Sequence, residues 1–275
     1  MQVQAPDRIG SYRIERLLGL GSFATVWLGF DPALGASVAI KVLAENWSHD
    51  LRVRERFLDE GRLLWRLDHA RLVRVHAVGE LPDGRPYLVM AWARGGSLRD
   101  RLAAGPVPVP DALVLLREVA AAAAVLHANG IVHRDLTPGN VLFRADGGYG
   151  PGDVLLADLG LAKAVAAASG LTARAGTPGF MAPEQDDPFA VVDARADVFG
   201  LGRLGVALLG TAPGAGPGSA ADRPGVPALR AGVPSGVGRV LRTATAVSPG
   251  ARYPHAAAFA AALGHAAAGP RGRAR

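Results

Sequence analysis

The sequence predicts an α+β protein of two lobes, a small β-rich one followed by a larger, mostly helical one. Three observations predict it. Up to about residue 90, short β-branched and apolar runs alternate with Gly, Asp and Pro breaks. A long Ala- and Leu-rich run over 112–128 then has helical character. The composition is 49% hydrophobic and 20% charged over 275 residues, enough to bury a full core without staples.

In chain order, Tyr12–Leu20, 24–30 and 37–43 read as strands. From Leu51 to Leu67, apolar residues at 53, 57, 63, 64 and 67 lie amid Arg and Glu, a helical pattern. Strand-like runs follow at 72–78 and Pro86–Ala91, split by the turn Leu81-Pro-Asp-Gly84. After the flexible Arg94-Gly-Gly-Ser97 the character turns helical. Asp111, behind Pro108 and Pro110, reads as the N-cap of a helix over 112–128 that Asn129-Gly130 stops. Two short strand-like pieces, Val141–Phe143 and 154–157, precede a further helix around 197–209. The stretch 211–234 is dominated by Gly, Pro and Ala, so no regular structure is expected there, and no internal repeat is present.

The same sequence excludes several classes of chemistry. Cys is absent, which removes disulfides, thiolate zinc sites, iron–sulfur clusters and cysteine nucleophiles. No apolar run approaches the ~20 residues a bilayer crossing needs; the best, 119–126, lies between Glu118 and His127. The N-terminal residues carry no basic region followed by an apolar stretch. A cytoplasmic protein with no membrane partner is expected. Net charge is +6, yet the basic residues are scattered and aromatics make up 6%, so no nucleic-acid partner is expected. Of 30 basic residues only Lys41 and Lys163 are lysines. A Lys in a chain that otherwise uses Arg points to a site that needs a compact ammonium.

Four segments carry candidate chemistry. Gly19-Leu-Gly-Ser-Phe-Ala-Thr-Val26 joins two strands; its glycines let backbone N–H groups approach phosphate, though a plain hairpin reads the same way. In Val38-Ala-Ile-Lys41, strand alternation turns Lys41 away from the face that carries Ile40. Ile131-Val-His-Arg-Asp-Leu-Thr-Pro-Gly-Asn140 places Asp135 and Asn140 five apart, and Asp158-Leu-Gly160 follows 18 residues after Asn140. A carboxylate and an amide oxygen at neighbouring strand ends suit a hard cation beside phosphates. Asp135 is then left to accept a proton or orient a nucleophile.

In order and spacing these segments resemble the eukaryotic-like (Hanks-type) protein kinase family, most closely its bacterial serine/threonine members, from about residue 11 to 265. The resemblance implies the bilobal protein-kinase fold, with an N-lobe over about 11–90, a hinge at 91–96 and a C-lobe over 97–265. The domain would fill 1–265, leaving a basic flexible tail at 266–275. It implies ATP-dependent transfer to Ser/Thr hydroxyls of a protein substrate, with autophosphorylation through a transient dimer. Leu18, Gly19, Leu20, Gly21, Val26, Ala39, Met90, Trp92 and Leu142 would surround ATP, Met90 as gatekeeper and 91–93 as the backbone that bonds adenine. Lys41 would hold the α- and β-phosphates and pair with Glu60, with Asp59 and Glu55 as nearby rivals. Asp135 would be the catalytic aspartate, and Asn140 and Asp158 the ligands of Mg²⁺ or Mn²⁺.

The resemblance extends to regulation. Arg134 beside Asp135 marks kinases activated by loop phosphorylation, with Thr172 the first acceptor, Ser169 the second, and Thr177 a substrate-site residue. Glu184 would pair with Arg252, and Asp197 would brace the catalytic loop. Position 137 departs from the family: it is Thr where serine/threonine kinases carry Lys, so a charge on the transferring phosphoryl group is missing. A nucleotide-binding scaffold with weak or no transfer is the alternative this departure raises.

Overall fold

The computed structural model describes residues 6–160, 179–187, 189–211 and 228–268. They divide into two compact units, one ending at Arg94 and the next beginning at Gly95. Strands β1 (Arg8–Ile9), β2 (Tyr12–Leu20), β3 (Ala24–Asp31), β4 (Ala36–Leu43), β5 (Val75–Glu80) and β6 (Pro86–Ala91) belong to the first unit, with helix α1 (Leu51–Leu67). The strands pair antiparallel in the order β1-β2-β3-β4-β6-β5.

Alternation gives this sheet two faces. Trp27, Val38, Ile40, Val42, Tyr87 and Val89 pack on one of them. Register sets Val26 opposite Lys41, Leu28 opposite Ala39 and Ala39 opposite Met90, which puts these residues on the other. Helix α1 starts at Asp50, whose carboxylate accepts from the N–H groups of Arg52 and Val53 at 2.9 and 3.1 Å. Gly61 is what lets α1 approach β6: a Cβ there would meet Leu88 Cδ2 at 2.5 Å.

The second unit contains α2 (Leu98–Ala104), α3 (Val109–Ala128), the hairpin β7 (Val141–Phe143) and β8 (Val154–Leu156), α4 (Ala194–Leu209), α5 (Ser235–Ala244) and α6 (Ala256–Ala268). Its core gathers Leu115, Leu116, Val119 and Leu126 of α3, Val198, Leu201 and Leu204 of α4, Leu241 of α5 and Phe259 of α6. Gly200 of α4 lies so close to the loop after α3 that a Cβ would meet Leu136 Cβ at 2.9 Å. Among the described residues no helix is long and apolar enough to cross a membrane.

Several expected bounds shift. The strand expected at 72–78 is Val75–Glu80: Leu72 and Val73 are buried without joining the sheet, because apolar residues report burial rather than strand pairing. Asp111 is not an N-cap. Pro108 holds that position, and Pro110 fits the first turn, where its missing N–H costs nothing. Helix α4 starts at Ala194, behind the Asp193 cap. Helices α5 and α6 were not expected, and α6 extends to Ala268, into the stretch expected as a flexible tail.

Candidate active site

In the first unit the sheet builds one group of site residues. Gly19 on β2 pairs with Val26 on β3, which pairs with Lys41 on β4. The turn between β2 and β3 is closed by the Gly21 N–H donating to Ala24 O at 2.9 Å. Its far side is pinned by Trp47, which stacks on Phe23 at 4.9 Å and donates from Nε1 to Ser22 O at 2.9 Å. Lys41 is 7% exposed and its Nζ donates to Glu60 Oε1 at 2.7 Å, with the Phe57 ring 5.6 Å away. The rivals do not reach it: Glu55 is exposed, and Asp59 faces Arg62 and Arg56 at 3.1 and 3.7 Å. Of the other positions in this unit, Ala39 and Met90 are buried, Leu18 and Trp92 are half-buried, and Leu20 is exposed. The Trp92 ring stacks under Arg94.

The second unit holds the carboxylates. Asn140 donates both amide hydrogens to Asp135, at 2.7 Å to Oδ2 and 2.8 Å to the backbone O. This leaves the Asn140 carbonyl oxygen as the atom it offers outward. The β7–β8 pairing, continued by the Ala157 N–H to Asn140 O at 2.9 Å, brings the start of the Asp158 turn beside Asn140. Asp158 adopts φ +59°, a left-handed conformation that is costly for Asp and is held at functional sites by surrounding structure. The turn closes where the Gly160 N–H donates to His133 O at 2.9 Å. Leu142, opposite Leu155, is half-buried on β7.

Beneath Asp135 lies a polar frame. Asp197, 1% exposed, accepts from the backbone N–H of His133 (2.7 Å) and of Arg134 (2.8 Å) and from His127 Nε2 (2.8 Å). This holds Arg134 at φ +67°. His133 is fully buried; its Nδ1 accepts from the Asp135 N–H at 3.2 Å, so Nε2 carries the proton donated to Ala157 O at 3.0 Å. Burial holds its pKa below the ordinary 6.5, against the upward pull of Asp197, Asp135 and Asp158. Farther out, Arg252 clamps Glu184 at 2.6 and 2.9 Å, and Gln185 donates to Arg134 O at 2.8 Å.

Sequence reasoning missed His127 and Gln185. His127 alone was readable, as a lone polar residue closing the Ala-rich α3. Ser169, Thr172, Thr177 and Lys163 lie outside the described residues. Among those described, no three His, Cys, Asp or Glu side chains cluster to hold a metal. One amide oxygen and one carboxylate, completed by phosphate oxygens and water, are the donors Mg²⁺ takes, so Asn140 and Asp158 fit it.

The first unit holds a paired, buried ammonium, and the second a carboxylate steadied by an amide and a further carboxylate, each a kind of group that phosphoryl transfer uses. The family model "Protein kinase domain" matches residues 12–218, and the chain belongs to the protein kinase family. It is 40% identical over 148 residues to the serine/threonine-protein kinase PknJ of Mycobacterium tuberculosis, covering 54% of this chain and 25% of PknJ. The chain thus spans a minor part of the length of the curated relatives it matches, 17% to 34%. The kinase domain of Mycobacterium tuberculosis PknI superposes with a TM-score of 0.74 at 28% identity, covering 94% of this chain and 98% of that one. Rad53 in complex with AMP-PNP gives 0.70 at 25% identity, covering 91% and 64%. The fold is that of the bacterial Hanks-type serine/threonine kinases.

Proposed function

We propose that this chain transfers the γ-phosphoryl group of ATP to Ser and Thr hydroxyls of proteins, and to its own Thr172 or Ser169. The observation that carries the reading is the buried Lys41–Glu60 pair at 2.7 Å, which commits one of the chain's two lysines to the interior. In this reading Lys41 holds the α- and β-phosphates. Asp135, steadied by Asn140, orients the acceptor hydroxyl and receives its proton as the oxygen–phosphorus bond forms and the bond to ADP breaks. Asn140 and Asp158 would hold Mg²⁺, or Mn²⁺, which when bound neutralises phosphate charge. Gly19, Gly21, Val26, Ala39, Met90, Trp92 and Leu142 would position the nucleotide.

The proposal includes a kinase domain over 1–265 hinged at 91–96, a cytoplasmic setting, a transient dimer during trans-autophosphorylation, and no nucleic-acid or membrane partner. Thr137 favours a second reading, a nucleotide-gated scaffold, because it withholds a cation from the transferring group.

Intact mass followed over time with ATP and Mg²⁺ or Mn²⁺, for wild type and Asp135→Asn, separates the two. The expected result is stepwise gain of single phosphates in the wild type, mapping to Thr172 or Ser169, and a rate lower by about two to four orders of magnitude in the variant. Nucleotide binding without mass gain, on either metal, overturns the kinase reading in favour of the scaffold.

A further inference from the structure

We infer that Arg99 selects acceptor peptides that carry an anionic side chain, carboxylate or phosphate, within about two residues of the acceptor hydroxyl. The inference rests on the kinase reading above and names its substrate class. Arg99 is the second residue of α2, whose first turn is fixed by the box in which Asp100 Oδ2 accepts from Ser97 N and Oγ at 3.0 and 2.6 Å. Its backbone N–H donates to Pro138 O at 3.0 Å, tying the start of α2 to the catalytic loop.

The side chain turns over that loop. A Cβ placed on Gly139 would lie 3.5 Å from Arg99 Nη1, 3.7 Å from Cζ and 3.8 Å from Thr137 Oγ1. The guanidinium therefore lies at van der Waals distance from the Gly139 side-chain position, one residue before the Asn140 that grips Asp135. Between Leu136 and Gly139 the loop itself brings no charge: Thr137 is neutral and Gly139 has no side chain. Arg99 is exposed, and no described carboxylate lies within ion-pair distance of it. Asp100, its neighbour in sequence, hydrogen-bonds Ser97 and lies near enough to feel the Arg99 charge, without an ion pair forming between the two.

An acceptor hydroxyl must come within hydrogen-bond reach of the Asp135 carboxylate. An extended peptide advances about 3.3–3.6 Å per residue, so side chains one or two residues away fall within about 7 Å of it. Arg99 packs against Gly139 of the catalytic loop, four residues along the chain from Asp135. A planar guanidinium with a free fork matches a carboxylate or phosphate in two parallel bonds. The group is solvent-exposed, so its discrimination is a matter of severalfold rather than orders of magnitude.

The experiment compares kcat/KM for four peptides that share one Thr acceptor and differ only beside it, with Ala, Glu, phosphoserine or Arg. The wild type is expected to favour Glu over Ala about three- to fivefold, with the phosphoserine peptide separating phosphate from carboxylate as the preferred anion. Arg99→Glu is expected to invert the order toward the Arg peptide, and Arg99→Lys to keep part of the preference; a structural role would produce neither. A flat or basic preference in the wild type overturns the inference, and the exposed Asp186, Asp187 and Asp193 of the same unit are the groups that would then select. So does an acidic preference that survives Arg99→Glu. A wild type that binds nucleotide yet transfers to none of the peptides defeats the kinase reading instead. Fluorescence anisotropy of the same peptides then decides Arg99: no tighter binding of the anionic ones, or tighter binding that Arg99→Glu leaves intact, overturns it.

Discussion

The two units place their site residues by different means. In the first, position comes from sheet register: Gly19, Val26 and Lys41 are neighbours because β2, β3 and β4 pair as they do, and one polar link joins Lys41 to the helix. In the second, a connected polar frame does the positioning: Asp197 gathers His127, His133 and Arg134, and His133 in turn reaches Asp135 and Ala157. A register built on apolar packing survives the loss of the Lys41–Glu60 pair if both partners go together. A frame whose members satisfy one another does not, because each deletion orphans buried groups.

The largest effect therefore falls on Asp197→Ala. It leaves the N–H groups of His133 and Arg134 and the His127 Nε2–H without their acceptor, each at roughly 1–3 kcal/mol. It also releases Arg134 from φ +67°. Thermal unfolding of the variant is expected to begin lower by at least about 6 °C, at roughly 2–4 °C per kcal/mol. A shift below about 2 °C would mean that the frame is redundant and the contrast between the units is false.

What could be read in advance follows the same division. Strands β2, β3 and β4 and helix α1 were legible nearly to the residue, because alternation and a helical stripe are local signals bounded by Gly, Asp and Pro. Lys41, Asp135, Asn140 and Asp158 were legible from residue type and spacing. Choosing Glu60 over Asp59 needed the resemblance to a family, since all three acids of α1 lie within six residues. The frame was only half legible. Asp197 came with its motif, but His127 is 70 residues away in sequence and acts through a fold that spacing does not encode. Helix α5 hid because Gly236 and Gly238 weaken its signal, and α6 because a nearly all-Ala helix has no polar contrast, although its propensity for helix is high.

The ion pair is the sharper test of the first unit. Lys41→Met removes the ammonium that faces the buried Glu60 carboxylate and is expected to cost about 3–5 kcal/mol of unfolding free energy. Lys41→Met combined with Glu60→Leu is expected to recover most of that loss, since an apolar pair of similar size is as stable as the ionic one. Denaturant midpoints of wild type, single and double variants measure it. A double variant no more stable than the single would show that α1 is held by the charge and not by the Phe57, Leu64 and Gly61–Leu88 packing around it.

The smallest effect is also the one that reads the frame without cutting it. His133 is buried and neutral, with Nδ1 already accepting from the Asp135 N–H, so a second proton would face a donor and break that bond. Its folded pKa lies below the unfolded value of 6.5, so only the unfolded chain gains a proton as the pH first drops below 6.5. Stability is thus flat above that point and falls below it, by at most about 1.4 kcal/mol per pH unit for this group. His76, lowered by burial and by Arg74, adds a share of the same sign in the same window. The lowered carboxyls of Asp83 and Asp100 act only near and below their ordinary 3.8 and leave it clear. Unfolding free energies at about pH 7.5 and about pH 5.5 are expected to fall less with acidification in His133→Gln than in wild type, and less again when His76→Gln is added. If His133→Gln keeps the full wild-type slope, His133 is not the group through which acid acts on the frame.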